Sequence, residues 1–380
     1  MHILAKKNTL LENLSIVQKS IPLKTTMTVI KGIFLEAKSG QLTMVGNNLE
    51  MSIKAVCNDL QIKDEGEIVL PVEFIEILKQ APEESIEIKI NQEELRAEVK
   101  SGQAVFILYG MNPEEFPLNN YEITPDRDKI SYSSRELKNI LKKITFAVSQ
   151  DESKPSFKGV LLEIDEDNIC FIASDTYRLA YLKTTRNIKK VQPLRILIPG
   201  KALNEIMRMI DDSDEIIECT CSDKDIIFYY RQFMIYCRLL DDKFPNLKNI
   251  FPADYVSKIK LNTRLLEKAI ARASLLAGGY NHMISLQINN TSLKIESGSE
   301  VGRMNEILEI KDKEGDDLQE ILLNVRYFLD PLKVLDEEYI EIEFNGAYGP
   351  CIFNCQETLD NGALDYRYLV LPIKIDKREM

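Results

Sequence analysis

The sequence contains no tryptophan and only two histidines in 380 residues. His2 stands at the extreme amino terminus and His282 in a glycine-rich turn, so no histidine-centred nucleophile or metal site has partners at a recognisable spacing. No apolar run reaches the roughly 18 residues of a membrane span, and the start Met1-His2-Ile3-Leu4-Ala5-Lys6-Lys7 lacks the apolar stretch of a secretory leader. These absences lead us to expect a cytoplasmic protein without a membrane segment. The seven cysteines follow no disulfide framework. Cys219, Cys221, Cys351 and Cys355 come nearest to ligand spacing but make no four-ligand set, so buried small hydrophobes are expected rather than a metal site, and no cofactor. Ser297-Gly298-Ser299 lacks the Lys-Ser/Thr of a phosphate loop and reads as a hairpin turn, and the pairs Asp211-Asp212 and Asp316-Asp317 read as solvated turns. Positive charge is also in deficit. The net charge of -12 excludes a globally basic nucleic-acid binder, so any DNA contact must be local.

What the chain does have is a threefold repeat. Amphipathic helix patterns recur at 8–21, 134–148 and 262–277, each opened by a residue able to cap a helix. A second pattern, a β-like run leading into a short helix, recurs around Pro71, Pro199 and Asn324, at intervals of 128 and 125 positions. A third marker, Phe116-Pro117 and Phe244-Pro245, again repeats after 128. Alternating strand patterns such as 85–90, 216–220 and 339–344 complete each unit. The repeat predicts an α+β protein of three like domains, 1–124, 125–253 and 254–380, each with two helices packed on antiparallel sheet.

Basic residues recur on the polar faces of these helices. Arg135, Lys138 and Lys142 oppose an apolar face of Leu137, Ile140, Leu141, Ile144 and Val148. Arg264, Lys268 and Arg272 form a four-step row opposite Leu266, Ala269, Ile270 and Ala273, and Lys201 and Arg208 oppose Leu203, Ile206, Met207 and Ile210. The first third is less basic, with Glu12, Glu73 and Glu76 beside Lys19 and Lys79. No base-reading motif accompanies these faces, so the expected contact is with duplex phosphates and insensitive to sequence.

The strings Phe146-Ala-Val-Ser149, Lys154-Pro155-Ser-Phe157-Lys-Gly159 and Ala173-Ser-Asp175-Thr-Tyr177-Arg178-Leu-Ala180 resemble the bacterial β sliding clamps, as do Phe244-Pro245, the segment from Lys201 and the ending Tyr368-Leu-Val-Leu371-Pro372-Ile-Lys-Ile375. The resemblance spans nearly the whole chain. It implies a non-enzymatic processivity factor, a head-to-tail homodimer whose six domains ring the DNA. The implied partners are the DNA polymerase III alpha subunit and other polymerases, the clamp loader, and mismatch-repair proteins and ligase.

It further implies a pocket for partner peptides at Ser174, Thr176, Tyr177, Arg178 and Leu179, with Pro245 and Ile250 and the carboxy-terminal Leu369, Leu371, Pro372, Ile373 and Lys374. The implied dimer contact sets Phe106 and Leu108 against Leu275 and Leu276. Lys24, Lys154 and Lys201 match DNA-contacting positions, to which the basic faces add Lys138, Lys142, Lys268 and Arg272. The chain departs from the family pattern at Thr176-Tyr177, where Gly-His is usual, at Asn249, where a basic residue is common, and in a charged tail, 376–380. A hydrolytic enzyme and an ordinary monomeric peptide-binding scaffold remain the rival readings.

Overall fold

The computed structural model describes residues 1–119, 129–165, 168–185, 193–247, 250–278, 282–359 and 362–374. Asn249, Pro125 and the 376–380 tail lie outside them. The described residues form two compact units, one of 1–138 with 201–239 and the other of 139–200 with 240–380.

In the first unit an eight-stranded antiparallel sheet runs in the order Lys129–Ser133, Ile216–Cys221, Asp225–Tyr230, Phe233–Arg238, Met51–Cys57, Gln41–Asn47, Gly32–Lys38, Gly66–Pro71. A second sheet, of five strands, ends on Ala104–Tyr109. In the other unit a nine-stranded sheet runs from Leu194–Pro199 through Gly159–Ile164, Asn168–Ser174 and Arg178–Thr185 into Gly362–Val370, Cys351–Leu359, Tyr339–Phe344, Ser257–Asn262 and Asp312–Gly315. Its companion sheet has four strands and ends on Gly302–Glu309. Strands from the middle third of the sequence therefore divide between the two large sheets. Phe233–Cys237 pairs with Met51–Ala55, and Arg178–Thr185 with Ala363–Val370, each as an unbroken antiparallel ladder. Three sequence repeats become two compact units because each junction is continuous sheet.

Among the described residues the α-helices are α1 (Lys7–Val17), α2 (Glu73–Gln80), α3 (Ser134–Ile144), α4 (Gly200–Met209), α5 (Thr263–Leu276) and α6 (Val325–Leu332), two per sequence third. Their expected apolar faces are buried: Leu137, Ile140, Leu141 and Ile144 of α3, and Leu266, Ala269, Ile270 and Ala273 of α5, are at most 2% exposed. The caps differ from expectation in two of the three repeated helices; Ser134 is already the first residue of α3, and Ser133 caps it, its hydroxyl accepting the Glu136 N–H at 3.1 Å. Asn262 does cap α5, accepting the Leu265 N–H at 3.0 Å, and Asn324 caps α6. Asn8, however, lies inside the first turn of α1, because Glu84 takes the leading amides instead, its carbonyl from Lys7 and its carboxylate from Asn8.

The repeated Phe-Pro markers have one structural job. Phe116 is buried against Phe34, with ring centroids 5.7 Å apart, and Phe244 against Phe157 at 5.5 Å. Each phenylalanine plugs the core of its unit before proline turns the chain away. Ser297-Gly298-Ser299 proves to be strand rather than turn, since Ser292–Ser299 pairs along its length with Gly302–Glu309 and the chain reverses at Glu300-Val301. Asp211 is likewise more than a solvated turn, accepting from Ser134, Ser213 and Arg231 and so tying the start of α3 to the end of α4. Bonds from Ser213, Tyr230 and Arg231, with Ser213 contributing most, hold its carboxyl well below the usual range.

Ile53 and Ile235 face each other across the first junction, both without solvent exposure. I53A is expected to destabilise the first unit by about 3 kcal/mol, the usual cost of a large core deletion, read as a lowered urea midpoint at unchanged slope.

Candidate functional site

The turn joining Asn168–Ser174 to Arg178–Thr185 is organised by Asp175, whose carboxylate accepts the N–H groups of Tyr177 (3.0 Å) and Arg178 (3.1 Å). Buried Ser174 adds to it, its hydroxyl donating to the Arg178 carbonyl at 2.8 Å and accepting from the Thr176 N–H at 3.1 Å. Thr176 sits at φ +81°, a region that β-branched residues rarely enter. The departure from glycine is thus a strained position.

Arg178 is a hub rather than an open contact. It donates from Nε to Asp175 at 2.9 Å, from Nη1 to Asp330 at 2.6 Å and from Nη2 to the Phe146 carbonyl at 2.7 Å, with the Tyr327 ring 4.5 Å away. Burial works against its charge, but Tyr368, Asp330 and Asp175 outweigh this and its pKa is raised. The hub positions Tyr327, whose carbonyl accepts from the buried Tyr368 hydroxyl at 2.7 Å.

The remaining residues of the expected pocket divide by exposure. Leu179 and Leu369 are 1% and 2% exposed, inside a core cluster with Ile172, Ile352 and Phe244, and support the surface from beneath. Thr176, Tyr177, Pro245, Ile250, Leu371 and Lys374 are exposed, and Pro372 and Ile373 half-buried. The carboxy-terminal segment is held beside the turn by bonds from the Leu371 N–H to the Tyr177 carbonyl (2.9 Å) and from the Ile373 N–H to the Leu322 carbonyl (2.8 Å). Cavities of about 410 and 360 Å³ flank Leu247, the first reaching Leu179 and the second Pro245. Tyr327 was not singled out from the sequence. Its only signal there was its place one turn into the third repeat of the strand-to-helix pattern.

The expected DNA residues separate by partner. Lys24, Lys142, Lys201 and Lys268 are exposed. Lys138 donates to the Ile210 carbonyl at 2.9 Å. Arg272 differs from expectation: both its Nε and its Nη2 engage Glu306, so its charge is neutralised within the chain. Arg264 is likewise held by Glu267 and Asp336, and Arg135 by Asp212 and Asp214. Lys143, next to Lys142, is buried 3.9 Å from Glu337. Lys154 donates to the Thr176 hydroxyl at 2.9 Å and thus belongs to the turn.

Of the expected dimer residues, Leu275 is 80% exposed and Leu276 half-buried. Phe106 and Leu108 pair with the buried Val99 and Ala97, on the core side of their sheet. The alternate residues Val105, Ile107 and Tyr109, unnoticed in the sequence, are the outward ones, at 51%, 44% and 76% exposure. The uninterrupted apolar run from Ala104 to Tyr109 was the available signal.

None of the seven cysteines forms a disulfide, and burial pushes the thiols of Cys219, Cys237 and Cys351 up. His2 contacts Glu87 at 2.8 Å, and His282 the Ala277 carbonyl at 3.2 Å.

Relief of the Thr176 strain, worth 1–3 kcal/mol for such a residue, exceeds the entropic cost of glycine. T176G is expected to be more stable than the parent by about 1 kcal/mol in chemical denaturation; a loss would mean the turn carries no strain.

Three family models match the chain in succession: the DNA polymerase III beta subunit N-terminal domain over residues 1–121, the central domain over 131–246 and the C-terminal domain over 248–373. The beta sliding clamp of Staphylococcus epidermidis is 32% identical over 98% of this chain and 99% of its own length, and that of Staphylococcus aureus 31% over the same shares. The crystal structure of the Bacillus subtilis DNA polymerase sliding clamp superposes with a TM-score of 0.92 at 29% identity, covering 99% of this chain and all of that one. With three like domains in order and relatives matched end to end, the chain belongs to the DNA polymerase III beta subunit family, the β sliding clamps.

Proposed function

We propose that the chain acts as its family does, as a non-catalytic sliding clamp for the replicative polymerase, and that two copies close head to tail into a ring around duplex DNA. The observation carrying the ring is a pair of open sheet edges. Ala104–Tyr109 ends one sheet with Val105, Ile107 and Tyr109 exposed, and Gly302–Glu309 ends another with Ile307 64% exposed, beside Val301 and Leu275. An exposed apolar edge strand invites pairing and is a hazard if left open. Other edges, such as Leu60–Asp64 and Asp312–Gly315, carry charge instead. Joining the first kind of edge to the second, twice, leaves neither open.

Domains 1–124, 125–253 and 254–380 supply the repeating parts of this ring. Lys24, Lys138, Lys142, Lys201 and Lys268 attract phosphates without reading bases. The Thr176-Tyr177 turn with the Leu371 to Lys374 segment takes short peptides from the polymerase III alpha subunit, other polymerases, the clamp loader, mismatch-repair proteins and ligase. The protein works in the cytoplasm, where these partners meet DNA.

A ring holds DNA by closure. Protein loaded on a nicked circle is expected to stay bound in high salt and to be lost when the circle is cut; retention on the cut, unblocked DNA would rule out encirclement. I107D is expected to give the mass of one chain rather than two by sedimentation and to abolish retention on circles, whereas an unchanged dimer mass would remove this edge from the interface.

A further inference from the structure

The strained turn builds a surface that the family pattern does not explain. Tyr177, 55% exposed, stacks on Tyr327 with ring centroids 6.2 Å apart and 22° between planes. The Lys154 ammonium lies 5.2 Å from the Tyr177 centroid while it donates to Thr176. An ammonium has three donors, and one of these is used. Among the described residues no carboxylate stands within 4 Å of it. Asp175 and Asp330 are both engaged by Arg178, Glu152, the nearest acid in sequence, is paired with Lys158, and Asp151 accepts from Ser153. Exposed Leu371 sits alongside, its N–H on the Tyr177 carbonyl, and exposed Lys374 follows. In a protein of net charge -12 this is a cationic, aromatic spot bordered by apolar side chains.

We propose that Lys154, Tyr177 and Tyr327 form a shelf that accepts an acidic side chain of the incoming peptide beside its apolar anchors, making Lys154 a residue of partner selection rather than of DNA contact. The inference rests on the peptide-site reading. A phosphate backbone needs only charge, and mobile lysines supply it. Here the ammonium is fixed by a hydroxyl and a ring face, with donors left for a carboxylate that brings its apolar neighbours against Tyr177 and Leu371. The Thr176 hydroxyl, which glycine would lack, is what holds the lysine there.

The test uses the full chain and fluorescent nonapeptides with a Leu-Leu-Phe core, a single Glu or Gln being scanned through the flanking positions. At one position Glu is expected to bind about tenfold tighter than Gln, from a charge-assisted contact, with the ratio shrinking as salt is raised. K154M should bring the ratio close to one, and K154R should preserve it. Equal binding of each Glu and Gln pair by the parent would overturn the shelf, as would a ratio that survives K154M. So would a K154M variant that leaves the ratio intact but lowers the salt slope of DNA binding by about one, which would assign the lysine to phosphate. If no peptide of the set binds, the peptide-site reading fails together with the shelf.

Discussion

Backbone pairing across the sequence repeats is the constraint on which the rest depends. A strand at the rim of a sheet carries unmet N–H and C=O groups, and a small domain built from two sheets has several such rims. Here Met51–Cys57 and Phe233–Arg238 meet each other's need, as do Arg178–Thr185 and Gly362–Val370. Each junction is therefore as ordered as the interior of a sheet. Among the described residues two apolar rims, Ala104–Tyr109 and Gly302–Glu309, are left open, and the proposed second copy would cover them.

The same junction places the proposed peptide site. Because Arg178–Thr185 is locked against the last strand, the turn preceding it and the segment following that strand emerge side by side. Arg178 sits where these elements meet and binds two carboxylates and a carbonyl, so it stiffens the surface. Removing one member of such a buried charged group leaves the others uncompensated, which favours keeping the whole set. Rigid support beneath and exposed aromatic and aliphatic groups above is the arrangement that lets a short peptide bind without a large ordering cost.

Much of this was legible in the sequence, because the signals were periodic. Helical faces, the strand-to-helix steps at Pro71, Pro199 and Asn324, and the buried Phe116 and Phe244 all follow from local pattern and its repetition. What the pattern hid depended on distant partners. Nothing near Arg272 in sequence announces Glu306, and Lys142 and Lys143 look alike until one is buried near Glu337. Alternation in Ala104–Tyr109 could not say which face was outward, since both are apolar and only the register with Ala97 and Val99 decides. Lys154 was expected at DNA from the family resemblance alone, and its bond to the Thr176 hydroxyl, 22 residues away, leaves no mark on the local sequence.

The self-paired arginines bear on how tightly and how long such a protein holds DNA, which are separate quantities. A cation already matched by an internal carboxylate displaces few ions from the duplex when it approaches, so Arg135, Arg264 and Arg272 add little to counterion release. The potential along the DNA is then shallow, and moving from one phosphate to the next breaks few contacts. In the proposed ring, residence can be long while friction is low, because retention is decided by topology rather than by the strength of individual phosphate contacts.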